Sequence, residues 1–305
     1  MRLTHSSSAL VRAFQISNRR LFLIVEGLLD RAFYSRLIAS HPDLNSDLIQ
    51  IRLAQEIDPN LGNGKTAILN LYRHMRRNHK LMPNFGGIKK AVAFMLDKDV
   101  DDLRHCLCRS PHVIYTEWYG VENYLFRHGD LRLALINGAL LDASSIGTFP
   151  ASIDWTHQCA TEWTDWIAFC YIAVKRDVGI GNFGANCSLF HNGPRSNINL
   201  VKKAAIETAC CSRTGMPPAN LAAEIADAVR IVQRLLVRYD HDKIFNGKWY
   251  LYFLATDATR VAAGRQLPSD LVERLEAALF ASLNFADHWA ETLKNKLLSL
   301  RATLN

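Results

Sequence analysis

The chain has 305 residues, 49% of them hydrophobic, enough for one large or two modest domains with full cores and too apolar for a disordered protein. Its 36 Lys and Arg against 29 Asp and Glu leave a moderate net charge of +7, so the distribution of that charge matters more than its size. No apolar run is long enough to span a bilayer, the N-terminus lacks the continuous apolar core of a signal peptide, and 7 cysteines, an odd number, favour reduced thiols. A soluble, cytoplasmic protein with no membrane partner is expected.

Residues 21–27 read LFLIVEG, an apolar run with β-branched and aromatic members that predicts a buried parallel strand ending on Glu26. Residues 28–40 (LLDRAFYSRLIAS) place Leu29, Phe33, Leu37 and Ile38 on one helical face. Asp30 falls in the first turn of that helix, where a carboxylate is favoured and can point back toward a ligand. The segment GNGKT at 62–66 looks like the end of a phosphate-binding loop. The Walker spacing, however, requires a glycine where Pro59 stands, and residues 54–61 (AQEIDPNL) are too polar for the strand that should precede it. A helix N-terminus facing a backbone phosphate, or a simple turn, is the better reading.

Residues 66–80 (TAILNLYRHMRRNHK) predict a helix with Ile68, Leu71, Tyr72 and Met75 inward. There is no acid between Asp58 and Asp97, while that interval holds Lys65, Arg73, Arg76, Arg77, Lys80, Lys89 and Lys90 with His74 and His79. Such a face is either merely solvated or a surface for a polyanion, and Lys65, Arg73, Arg76, Arg77 and Lys80 are the candidate nucleic-acid contacts. Tyr72 and His74 are candidates for stacking on unpaired bases. Residues 91–99 (AVAFMLDKD) predict a second buried strand ending on Asp97 and Asp99, and residues 112–116 (HVIYT) a third.

Beyond residue 130 the period-2 signal disappears and helices are predicted over 131–141, 155–177, 198–209, 218–239, 248–263, 270–283 and 287–304, with a long loop over 179–193. The expected division is an α/β domain over 1–128 followed by an all-α domain over 129–305. Cys106-x-Cys108 and Cys210-Cys211 lack the paired spacing of a zinc site.

Open α/β sheets place their ligands at the carboxyl ends of their strands, where Glu26, Asp97 and Asp99 stand. Three carboxylates meeting there repel one another unless a cation neutralises them, and hard oxygen ligands suit Mg²⁺ or Mn²⁺. Glu26, Asp30, Asp97 and Asp99 are therefore candidate metal ligands for phosphoryl chemistry; the alternative is acids that only end strands. Glu122 and Asn123, flanked by Tyr119, Tyr124 and Phe126, are either a buried hydrogen-bond anchor or part of the site. Lys248 either reaches a phosphate or caps a helix, and Asp240 and His241 are candidates for proton transfer.

Glu-Gly after a first strand and Asp-x-Asp after a later one resemble the Toprim domain of topoisomerases, primases and OLD-type nucleases. VEGLLDRAFYSRL (25–37), MLDKDVDD (95–102), YTEWYGVENYLF (115–126) and NGKWYLYFL (246–254) are similar to the AriB-like effector family of PARIS anti-phage systems. One departure is that Val100, Asp101 and Asp102, not the frequent glycine, follow Asp99. The resemblance implies a Toprim-like parallel sheet flanked by helices, and Mg²⁺ or Mn²⁺ chemistry at Glu26, Asp97 and Asp99 with Glu122 and Lys248 as further catalytic candidates. It implies an endoribonuclease with transfer RNA as target, held inactive by an ABC-type ATPase sensor (AriA-like) and acting as a homodimer when released. Trp163, Trp166 and Trp249 are the expected anchors for that docking. The alternatives are a non-catalytic Toprim-like subunit that binds nucleic acid or the ATPase, and an OLD-type DNA nuclease.

Overall fold

The computed structural model describes residues 7–44, 46–57, 64–147, 149–185 and 187–304. Two compact units emerge, each assembled from separate stretches of chain: Met1–Lys98 with Leu107–Thr116 and Asn284–Asn305, and Asp99–Cys106 with Glu117–Leu283.

The first unit runs α1 (Ser7–Ile16), β1 (Leu21–Val25), α2 (Leu28–Ser40), β2 (Ile49–Leu53), a short α3 (Ala54–Ile57), α4 (Lys65–Arg77), a hairpin of β3 (Asn84–Phe85) and β4 (Ile88–Lys89), β5 (Ala91–Leu96) and β6 (Val113–Tyr115). Four strands form a parallel sheet in the order β2-β1-β5-β6. Every residue of β1 and β5 is buried, which is why both read as unbroken apolar runs. Phe22, Ile24, Val92, Phe94 and Leu96 face one core with Ile68, Leu71, Tyr72 and Met75 of α4. On α2, Phe33, Tyr34, Leu37 and Ile38 are buried while Leu29 is only half-buried.

β2 and the place of the last helix were not anticipated. β2 pairs with β1 along its whole length, from Leu21–Ile49 to Val25–Leu53, although its sequence IQIRL interleaves polar residues as a sheet edge does. The chain's last helix, Glu291–Ala302, also belongs here: Phe285 and Trp289 lie 5.1 and 6.0 Å from the Phe33 ring, Lys296 Nζ donates to the Tyr115 carbonyl at 3.2 Å, and the Arg20 guanidinium donates to the Leu304 carbonyl. Lys90 is absent from the basic surface. It is buried, and its ammonium donates to the carbonyls of Phe14, Gln15 (3.3 Å) and Ser17 (2.6 Å), satisfying the end of α1.

The second unit is helical: α5 (Val121–His128), α6 (Leu131–Gly138), α7 (Ala143–Ile146), α8 (Ser152–Glu162), α9 (Thr164–Lys175), α10 (Leu200–Thr214), α11 (Pro218–Val237), α12 (Gly247–Ala262) and α13 (Leu271–Ser282). The helix expected over 155–177 is two helices, broken at Trp163 (φ −105°, ψ 19°). Trp163, Trp166 and Trp249 are corrected from docking anchors to core: all three are fully buried, and Trp163 and Trp249 donate their indole N–H to the carbonyls of Pro194 and Ala185. No helix among the described residues is long and apolar enough to cross a membrane.

Candidate functional site

The strand order fixes where a ligand belongs in the first unit. From β1 the chain goes to β2 on one side and then to β5 on the other, so the order reverses between β1 and β5. In an open parallel sheet that reversal opens a crevice at the carboxyl ends of the two strands. β1 and β5 pair in the register Ile24–Phe94, which extended by two residues sets Glu26 level with Leu96 and Asp97 one residue beyond. Adjacent strands lie about 4.8 Å apart, so the two half-buried acids leave the sheet at neighbouring positions on the edge of that crevice.

The start of α4 meets the same edge. Gly64, at φ +85° a position suited to glycine, has the Glu26 carboxylate Oε1 only 3.5 Å from where a Cβ would stand. Lys65, the first helical residue, donates from Nζ to the Lys98 carbonyl at 3.2 Å and lies over the Tyr115 ring at 5.5 Å. The Lys98 amide donates in turn to the buried Thr116 Oγ1 at 2.9 Å. The turn carrying Asp97 is thus held by a helix-borne ammonium and a strand-end hydroxyl. Lys65 belongs to this acidic edge rather than to the outer basic face. Gly62, Asn63 and Pro59 of the GNGKT region lie outside the described residues.

Asp30 acts on the local backbone, where its Oδ2 accepts the Gly27 amide at 2.7 Å and closes the first turn of α2. Asp99 begins the second unit, with a left-handed backbone (φ 51°) that aspartate tolerates better than most residues, and its amide donates to the Tyr119 carbonyl at 2.8 Å. Asp102 accepts the Leu103 amide at 2.8 Å, and Asp101 lies 3.9 Å from Arg104.

Among the described residues no three His, Cys, Asp or Glu side chains form a group that could hold a metal ion. Mg²⁺, however, is commonly held by one or two carboxylates together with substrate phosphates rather than by a closed protein cage. Glu26 and Asp97, hard oxygen donors at the mouth of the crevice, fit that open mode.

Within the second unit, the two weaker sequence signals meet. Glu122 is buried, and its Oε1 lies 3.6 Å from Lys248 Nζ, which is 67% exposed. Gly247 makes this approach possible, because a Cβ there would stand 2.6 Å from the Asn123 amide nitrogen and 2.8 Å from the Glu122 carbonyl carbon. Burial, and then the charge of Glu122, raise the Glu276 carboxyl above the usual carboxylate range. The Asn123 amide accepts from Gly120 N (3.0 Å) and donates to Asp242 Oδ1 (3.1 Å) and the Phe245 carbonyl (3.0 Å), so Asn123 is an anchor.

His241 is fully buried, its Nε2 3.1 Å from Thr156 Oγ1 and its Nδ1 without a hydrogen-bond partner among the described residues. Burial holds its imidazole below the ordinary 6.5 despite the nearby Asp242. The unfolded chain therefore takes up a proton, as pH falls through about 6.5, that the folded chain refuses, and stability should drop on the acid side of that value. Urea midpoints at pH 7.5 and 5.5 check this: His241→Gln is expected to shrink the difference between them, and an unchanged difference would assign the acid sensitivity to other groups. Asp240 is engaged by Lys243 at 3.0 Å.

On α4, Arg73, Arg76 and Arg77 are exposed, and Lys80, beyond the end of the helix, is half-buried. Tyr72 is corrected from a base-stacking candidate to a core residue: it is buried with its ring edge-on to Phe94 at 5.6 Å, since it lies on the inward face of the helix. His74 stays exposed beside Asn78.

Three contributors escaped sequence reasoning. Thr116 and Gly64 are ordinary residue types whose role depends on what the fold brings beside them. Asp242, in the run YDHDK, is a fully buried acid beside Asp240 and His241, which alone were singled out there. No model of a known protein family matches the chain, and no curated protein matches it either.

Proposed function

We propose that the chain is a divalent-metal-dependent endonuclease of Toprim type that acts on RNA, with transfer RNA as the substrate class. In this reading it is the toxic effector of an anti-phage defence system, cytoplasmic, held inactive by an ABC-type ATPase sensor and dimeric once released. The observation that carries the enzymatic part is that Glu26 and Asp97 follow adjacent strands at the β1/β5 reversal, with Lys65 Nζ on the Lys98 carbonyl. The defence assignment rests on the sequence resemblance.

Glu26 and Asp97 would hold Mg²⁺ or Mn²⁺. When bound, such an ion supplies positive charge to a phosphodiester and acidifies a water. Lys65 adds a fixed positive charge at the same edge, and Thr116 and the Lys65–Lys98 contact keep the Asp97 turn in one geometry. Glu122 and Lys248, an ion pair at 3.6 Å, are further catalytic candidates on the sequence resemblance. The rival reading is a non-catalytic Toprim-like subunit that binds nucleic acid or docks to the ATPase.

Incubating the purified full chain with transfer RNA, unstructured RNA and duplex DNA, each with Mg²⁺, Mn²⁺ or chelator, separates these readings. Cleavage of RNA only with metal supports the proposal, cleavage of DNA alone moves it to an OLD-type nuclease, and binding without cleavage makes the chain a non-catalytic subunit. Replacing Arg73, Arg76 and Arg77 by Glu is expected to weaken RNA binding and to reduce the slope of log affinity against log salt by about 0.7–0.9 per lost phosphate contact. An unchanged slope would leave α4 a merely solvated face.

A further inference from the structure

A cavity of about 560 Å³ in the second unit plays no part in the site above. One face of α10 (Lys202, Ala205, Ile206), Trp163, Tyr252 and the loop carrying Leu189 line it. Its volume lies in the range of small-molecule sites. The loop is braced from behind, because Ser188 Oγ accepts the Phe190 amide at 3.1 Å and lies 2.7 Å from Nδ1 of the buried His191, whose ring stacks on Trp163 at 5.8 Å.

The charges around the cavity are one-sided. Lys202 is the single charged side chain among the described lining residues, and none is acidic. Asp165 and Glu207 are both engaged by Lys203, at 3.3 and 4.0 Å, and Glu162, beside the lining Trp163, by Arg195 at 2.8 Å. Among the described residues Lys202 makes only a long 3.5 Å contact to the His191 carbonyl, which leaves its ammonium able to meet an anion. α10 buries only Cys210 and leaves Leu200 74% and Val201 80% exposed, so a helix with little apolar contact of its own forms one wall. A ligand against Ala205 and Ile206 would add the contact that the helix lacks.

We infer that this cavity binds a small molecule with an apolar body and a single negative charge, its body against Leu189, Ile206 and Tyr252 and its anionic group at Lys202. The inference is independent of the nuclease reading.

The test uses two probes of similar shape on the full-length chain: 8-anilinonaphthalene-1-sulfonate, which carries the charge, and N-phenyl-1-naphthylamine, which does not. Both should bind saturably, and Ala205→Trp, a substitution at an exposed helix position that fills the cavity, should weaken both by about tenfold or more. Lys202→Glu should weaken the sulfonate by about tenfold or more while leaving the amine within about twofold. Leu189→Glu, on the loop side, serves as the second cavity variant, and cooperative melting of each variant excludes dye uptake by a loosened fold. Failure of the sulfonate to saturate, unaltered affinity in both cavity variants, or an equal effect of Lys202→Glu on the two probes overturns the inference.

Discussion

Glu26→Gln and Asp97→Asn are each expected to abolish metal-dependent RNA cleavage, and with it cellular toxicity, while the chain stays folded. Both acids sit at the carboxyl ends of the central strands where the sheet order reverses, and both are half-buried rather than part of the core. Replacing a carboxylate by its amide keeps the shape and removes the charge a divalent cation needs. Changes that merely reorient a metal ligand commonly cost about 10–100-fold, so losing the ligand itself should exceed that. A readout separate from activity is the melting temperature with and without Mn²⁺. An ion bound by the native state alone stabilises it, so the wild-type shift should vanish in both variants. Undiminished cleavage by Glu26→Gln would remove Glu26 from the site.

The parts of this molecule that the sequence displays are those whose burial is complete and local. β1 and β5 are covered on both faces and read as unbroken apolar runs, and the acids that end them were visible for the same reason. β2 was hidden because an edge strand alternates: Ile49 and Leu53 are buried while Gln50 and Arg52 are only half-covered. The return of the C-terminal helix to the first unit was hidden for another reason. An amphipathic stripe says that a helix has a partner, not which one. Trp166 was misjudged despite a usable signal, since α9 (TDWIAFCYIAVK) is apolar nearly all round, the mark of a buried helix. At the site, carboxylates announce themselves, whereas Thr116 and Gly64 act through proximity that no short motif records.

The second large effect concerns stability. Asp242 is wholly buried, yet it accepts hydrogen bonds from Arg127 Nη1 (2.8 Å), Tyr250 OH (2.9 Å) and Asn123 Nδ2 (3.1 Å), while its backbone carbonyl receives the Tyr119 amide at 2.8 Å. Burial, with the Asp242 charge next, pushes the Tyr250 phenol well up, so that hydroxyl remains a donor. Asp242→Ala would strand a guanidinium with only 20% of its side chain exposed, a buried phenol and a buried amide at once. Breaking a buried pair from one side costs about 3–5 kcal/mol. Whole domains are stable by only about 5–15 kcal/mol, so this one substitution should bring the second unit near the edge of unfolding. Urea denaturation followed by the emission of buried Trp155, Trp163, Trp166 and Trp249 measures the loss. The paired change Asp242→Leu with Arg127→Met should cost less than the sum of its single changes, because neither partner is left charged and alone. A loss below about 1 kcal/mol for Asp242→Ala, the size expected of an exposed ion pair, would mean that water reaches this network and that it does not hold α5 to α12.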